Sequence, residues 1–167
     1  GQWYQDKQHG RGVHYGLNNN RYEGLWYCDL KEGEGKMFYY NGDVYNGNWK
    51  DDKRNGKGTY TYHNGAYYQG NWVDDCKEGY GIFDWNDGSR YEGAWIANKR
   101  NGKGTYYHAT GDVYQGMWKD DVQHGNGVFK FVNGDVYEGQ YVNGERTGNG
   151  IFKFANGDSY KGGFLNG

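Results

Sequence analysis

Seven tyrosines, Tyr22, Tyr45, Tyr68, Tyr91, Tyr114, Tyr137 and Tyr160, stand 23 residues apart with no insertion between them. So strict a period restricts the chain to stacked copies of one small unit, because a unit of that size cannot bury an apolar face by itself. Two residues after each tyrosine comes a glycine: Gly24, Gly47, Gly70, Gly93, Gly116, Gly139 and Gly162. Two further on stand Trp26, Trp49, Trp72, Trp95 and Trp118, then Tyr141 and Phe164. Gly1 and Trp3 fit the same frame. A Gly-x-Gly pair follows in every copy, from Gly10/Gly12 to Gly148/Gly150, and beyond it rings recur at alternate positions, as in Phe129 and Phe131.

Alternation with a period of two, broken by turn residues, is the pattern of strands and not of helices. Each copy therefore reads as a hairpin of two short strands, "YxGxW" and "GxGxFxF". Aliphatic residues are too scarce for a two-layered core. Only 35% of the chain is hydrophobic while 20% is aromatic and 32 residues are Gly, so burial has to come from Tyr, Trp and Phe. That aromatic content also argues against disorder.

The turn between copies, "VNG" or "ANG", sets the register. A two-residue Asn-Gly turn would pair Lys130 with Tyr137 and send the Tyr and Phe rows to opposite faces. A three-residue loop ending in a left-handed Gly pairs Phe129 with Tyr137 and keeps both rows on one face. The second is expected, with Gly127 opposite Gly139. Three lines then cross the sheet: Tyr alternating with Phe, glycine upon glycine, and Trp. The glycine line leaves a trough over which the Trp rings lean. The predicted fold is all-β, a single-layer elongated antiparallel sheet of stacked 23-residue β-hairpin repeats. Fourteen strands would form a ribbon on the order of 65 Å long.

The pattern "YEGxWxxxxxxGxGxxxxxxGDxY" resembles the MORN (membrane occupation and recognition nexus) repeat. The likeness covers one array over residues 1–167: a partial copy 1–21, full copies 22–44, 45–67, 68–90, 91–113, 114–136 and 137–159, and a partial copy 160–167. One departure is consistent. Where many such repeats have Gly three residues after the Trp, this chain has Asp29, Asp52, Asp75, Asn98 and Asp121, returning to Gly at Gly144 and Gly167. The resemblance implies a cytoskeletal, ciliary or cell-cortex scaffold and no catalysis. Similar repeats are also fused to lipid kinases and methyltransferases, which implies a regulatory arm of a larger enzyme as an alternative.

Catalytic chemistry needs groups that converge, and the repeat frame separates them. His9, His14, His63, His108 and His124 fall at four different positions of the repeat, so neither a metal site nor an acid–base pair follows. Ser89 and Ser159, the only serines, sit beside turn glycines. Cys28 and Cys76 occupy different loop positions and read as free thiols. A dinucleotide fingerprint needs a helix after its glycines, whereas a strand follows these. The Asp51–Asp52, Asp74–Asp75 and Asp120–Asp121 pairs lack the ligand spacing of calcium loops and read as turn residues. No cofactor, metal or small-molecule substrate is expected.

The formal net charge is −2, with 19 basic and 21 acidic residues evenly mixed, which disfavours nucleic acid and anionic membrane as partners. Lys31, Arg54, Lys77, Arg100 and Arg146 form a basic ladder that could meet phospholipid head groups, but aspartates two or three residues before most of them are expected to neutralise it. Two cysteines and no Asn-x-Ser/Thr acceptor favour a reducing, cytoplasmic setting. The chain opens on Gly, which reads as a piece cut from a longer protein.

A one-layer sheet leaves part of an aromatic face uncovered, and such patches mark interaction sites. The Tyr22 series is expected to be lateral core. Trp26, Trp49, Trp72, Trp95 and Trp118, with the irregular aromatics Phe38, Tyr39, Tyr62, Trp85 and Tyr107, are the candidates for partner contact. A trough of this width suits a helix or extended peptide of a protein partner, or another copy of the chain.

Overall fold

The computed structural model describes residues 2–165, which leaves Gly1, expected to open the glycine frame, and Gly167, expected to close the loop series, outside the described residues. Fifteen strands and no helix are found among the described residues. The chain divides into two compact units, Gly1–Asn86 and Asp87–Gly167. The first contains β1 (Gln2–Tyr4), β2 (Lys7–Tyr15), β3 (Arg21–Tyr27), β4 (Leu30–Phe38), β5 (Val44–Lys50), β6 (Lys53–Thr61), β7 (Tyr67–Val73) and β8 (Cys76–Asp84). The second contains β9 (Arg90–Ile96), β10 (Lys99–Tyr107), β11 (Val113–Lys119), β12 (Val122–Lys130), β13 (Val136–Val142), β14 (Glu145–Lys153) and β15 (Ser159–Phe164). Within each unit every strand pairs antiparallel with its neighbour in the chain. The short β1, paired with β2, adds a strand to the fourteen expected.

Two kinds of turn alternate, and each follows from its residues. Lys50 and Lys53 are joined through Asp51 and Asp52, whose φ values of 49° and 68° make a two-residue primed turn that matches the strand twist. The other connection has three residues. The Gly65 N–H donates to the Tyr62 carbonyl at 2.9 Å, the Tyr62 N–H to the Ala66 carbonyl at 2.8 Å, and Gly65 is left-handed at φ 91°. The register is therefore the expected one. Phe129 pairs with Tyr137 and Gly127 with Gly139, so the Tyr and Phe rows share a face.

The two glycines of each Gly-x-Gly pair do different jobs. The first, such as Gly56 at φ 92°, lies where the register shifts between the Gly47/Gly58 and Trp49/Arg54 pairings, a bulge on β6. The second has no room for a side chain: a Cβ on Gly58 would lie 2.1 Å from the Tyr45 hydroxyl oxygen.

That contact corrects the expected trough. It is filled, and by the tyrosines. Tyr45 lies along the glycine line and donates its hydroxyl to the Asn48 carbonyl at 2.9 Å, as Tyr114 does to Met117 at 2.7 Å. Tyr22, Tyr45, Tyr68, Tyr91, Tyr114 and Tyr137 are at most 1% exposed. The Trp rings stand upright beside the tyrosines. Tyr45 meets its own Trp49 at 5.1 Å and 84°, and Trp72 of the following repeat at 5.5 Å and 90°, the edge-to-face geometry that ring quadrupoles favour. The Trp72 indole N–H then donates to the Gly58 carbonyl at 3.1 Å, tying one repeat to the previous one.

Candidate functional site: a ring shelf bordered by charged rungs

At the primed-turn end of each hairpin, one repeat's base meets the next repeat's acid. The Arg54 N–H donates to Asp75 Oδ1 at 2.8 Å, its Nε reaches the same oxygen at 3.0 Å, and the Asp75 N–H returns a bond to the Arg54 carbonyl at 3.0 Å. Arg100 and Asp121 repeat the arrangement with an Nε contact of 3.2 Å, and Lys31 Nζ lies 3.3 Å from Asp52 Oδ1. Lys31, Arg54 and Arg100 of the basic ladder are thus neutralised, but by a source that differs from the one expected. The acid lies 21 residues further along, because neighbouring turns abut across the sheet whereas an aspartate two residues away lies on its own turn. These bases also lie on the rings. The guanidinium carbon of Arg54 is 4.8 Å from the Trp72 centroid, and that of Arg100 is 4.6 Å from Trp118. Arg146 differs. It lies 5.5 Å from the Tyr137 ring and has no ion pair among the described residues.

The opposite end carries a second ladder. Asp43, 5% exposed, accepts from the Tyr60 hydroxyl at 2.7 Å and from the His63 N–H, one loop further on, at 2.8 Å. Asp112 and Asp135 accept in the same way from the Val132 and Ala155 N–H groups. Burial works to raise the Asp43 pKa, but the hydrogen bonds from Tyr60, His63 and Asn41 outweigh it and hold the group below its usual value.

Between the ladders lies the part of the face that stays open. Five of the expected contact residues, Trp26, Trp49, Trp72, Trp95 and Trp118, are only 3–8% exposed. They are packed core and present almost no surface. Tyr107 lies on the other face, as does Phe38, because each pairs with an arginine one position before the buried tyrosine: Tyr107 with Arg90, and Phe38 with Arg21. Tyr39, Tyr62 and Trp85 are half-buried and form a shelf with the row beside them. In the first unit the rings run Tyr39–Tyr60 at 5.6 Å, Tyr60–Tyr62 at 4.8 Å, Tyr62–Phe83 at 5.8 Å and Phe83–Trp85 at 4.5 Å. In the second they run Tyr106–His108 at 4.5 Å, His108–Phe129 at 5.6 Å, Phe129–Phe131 at 4.6 Å, Phe131–Phe152 at 5.7 Å and Phe152–Phe154 at 4.8 Å.

In the second unit His108, Phe131 and Phe154 hold the place that Tyr39, Tyr62 and Trp85, the contact residues expected from the sequence, hold in the first. The repeat frame carries the signal, since all six residues stand 17 places after a buried tyrosine. Burial pushes the Tyr62 hydroxyl pKa up, with the Asp43 charge adding to it and Arg54 opposing. Burial also lowers that of His108, with Asp112 opposing. The shelf rings themselves thus favour their neutral forms, as suits apolar contact. Cys28 and Cys76 are free thiols. No group of three or more His, Cys, Asp or Glu placed to hold a metal occurs among the described residues.

The family model of the MORN repeat matches residues 1–21, 22–44, 45–67, 68–90, 91–113, 114–136 and 137–159. Among solved structures, the TCP domain of Drosophila melanogaster SAS-4 (dCPAP), in complex with a proline-rich motif of Ana2 (dSTIL), is similar in fold. Its TM-score is 0.57 at 15% identity, over 92% of this chain and 84% of that one. The wild-type TCP10 domain of Danio rerio CPAP in complex with a STIL peptide matches at 15% identity and a TM-score of 0.22, over 89% of this chain and 91% of that one. No curated protein matches the chain.

Proposed function

The chain belongs to the MORN repeat family, and from that premise we propose that it is a non-catalytic scaffold or adaptor whose ring shelf receives an extended, apolar segment of a protein partner. The observation that carries this reading is the shelf itself. The Tyr and Trp rings below it are fully packed, yet Tyr39, Tyr62 and Trp85 keep part of each ring in water. A row of half-buried aromatics on a sheet face is a surface of the kind that proline-rich segments dock against, because such segments lose little entropy on binding and pack their flat rings on aromatic ones. The SAS-4 domain of similar fold was solved with a proline-rich motif, which supports that class of ligand here. A cytoplasmic place in a cytoskeletal, ciliary or cortical assembly is part of the same proposal, and self-association is a second route to assembly.

Phospholipid is the weaker reading, since Lys31, Arg54 and Arg100 already hold carboxylates and lie against rings. The test is a titration of a capped proline- and leucine-rich peptide against the chain and against a Tyr62→Ser/Trp85→Ser variant. Binding is expected to weaken at least tenfold with the unfolding midpoint little changed. A folded variant that binds as well as the parent would overturn the proposal, as would salt-sensitive pelleting with phosphatidylserine vesicles in place of peptide binding.

A further inference from the structure

At Gln123 and Gly144 the ladder has neither its base nor its acid, and their absence opens the shelf in the second unit. At the position of Arg54 and Arg100 the next copy has Gln123; at the position of Asp75 and Asp121 it has Gly144; at the position of Trp72 and Trp118 it has Tyr141. The backbone half of the rung survives, the Gly144 N–H donating to the Gln123 carbonyl at 2.9 Å. The side chains that elsewhere close over the Trp ring do not. Two hollows result, of about 290 and 220 Å³, both lined by Gln123 and Gly144. The larger has Phe129, Phe131 and Tyr141 as apolar lining and Arg146 as its basic member. The smaller is lined in part by His108, whose buried Nε2 has no hydrogen-bond partner.

Arg146 shows what belongs there. Its counterparts Arg54 and Arg100 each hold an aspartate 21 residues ahead, whereas the residue 21 ahead of Arg146 is Gly167, which has no carboxylate side chain and lies outside the described residues. Glu145 also lines the larger hollow but forms no ion pair with Arg146. A guanidinium held against rings is weakly hydrated and presents a planar fork to a carboxylate.

We infer that the hollow beside Arg146 is a specificity pocket for an acidic residue, Asp or Glu, flanked by apolar residues in the bound segment. The partner supplies the carboxylate that the chain supplies to itself at Arg54 and Arg100, and its neighbouring side chain fills the space over Tyr141. This rests on the proposed peptide-binding function and adds an address to it: the partner's segment carries an acid.

Two capped nine-residue peptides of proline and leucine, with Asp or Asn at the centre, test it. The parent chain is expected to bind the Asp peptide about tenfold more tightly. Arg146→Gln should erase that preference. Gln123→Arg/Gly144→Asp rebuilds the closed rung; position 144 accepts Asp because Asp121 adopts the same left-handed turn at φ 72°, and a Cβ on Gly144 meets nothing within 4 Å. This variant should melt no lower than the parent and lose the Asp preference; Gln123→Arg alone serves should it not fold. Equal binding of the two peptides, no binding of either, or an undiminished Asp preference in the rebuilt variant would each overturn the pocket. So would capture of phosphatidylserine vesicles through Arg146 in place of the Asp peptide. The Tyr62→Ser/Trp85→Ser variant leaves the pocket untouched, so weaker binding of both peptides there, with the Asp-to-Asn ratio unchanged, reports on the shelf alone.

Discussion

Two lines of rings cross the strands of each unit, and they obey different rules. The inner line, Tyr45 with Trp49 and Trp72, is the same in nearly every copy and almost wholly buried. The outer line is Tyr39, Tyr62 and Trp85 in the first unit and His108, Phe131 and Phe154 in the second, four residue types in all, and half-open to water. The difference teaches where physical constraint ends. Each inner tyrosine has one slot, the space left by two glycines, and only a flat ring with a hydroxyl at its tip both fills it and reaches the backbone carbonyl three residues on. The outer position asks only for a ring that touches its neighbours, so its identity is free to vary.

The sharpest way to break this comparison is to truncate one ring from each line. Trp72→Ala should cost about 3–5 kcal/mol, because it empties core between Tyr45 and Tyr68 and removes the bond to the Gly58 carbonyl. Urea unfolding would read it, and a cost near that of an outer ring would mean that the two lines do not differ. Gly58→Ala comes next at roughly 3 kcal/mol, since its methyl group and the Tyr45 hydroxyl cannot share the same space. A small loss would show that the tyrosine can leave its slot at little cost.

Smaller again is the loop ladder. Asp43→Ala should cost about 1–3 kcal/mol by leaving the Tyr60 hydroxyl and the His63 N–H without their acceptor. The Asp43 carboxyl is held below its usual value when folded, so its contribution is fully present above the unfolded value of about 3.9 and is lost as pH falls through the lower folded value. Urea midpoints measured from pH 6 down to pH 2 should therefore show a steeper acid loss in the parent than in the variant. Identical profiles would remove Asp43 from the account of acid stability.

Much of the fold was readable in the order of residues. The positions of turns, the pairing of Phe129 with Tyr137, and the common face of the Tyr and Phe rows all follow from local rules of alternation and left-handed turn residues. The site was readable in part. Tyr39, Tyr62 and Trp85 were named, while the Trp series was expected to lean over an open trough and Tyr107 to join it. Parity along β10 decides the case of Tyr107: it is one residue beyond Tyr106, hence on the other face. The Trp series could not be settled that way, because alternation gives the face of a side chain but not whether another ring already covers it.

The period, the strands, the turn types and the register were determined by the sequence itself, since each depends on residues within one or two turns of one another. Tertiary structure alone decided that tyrosine and not tryptophan fills the glycine line, that Lys31, Arg54 and Arg100 are neutralised by the acid of the next repeat, and that the rung at Gln123 and Gly144 stands open. Those outcomes depend on which atoms of different repeats arrive at the same point in space. Close packing allows one occupant there, and spacing along the chain does not say which.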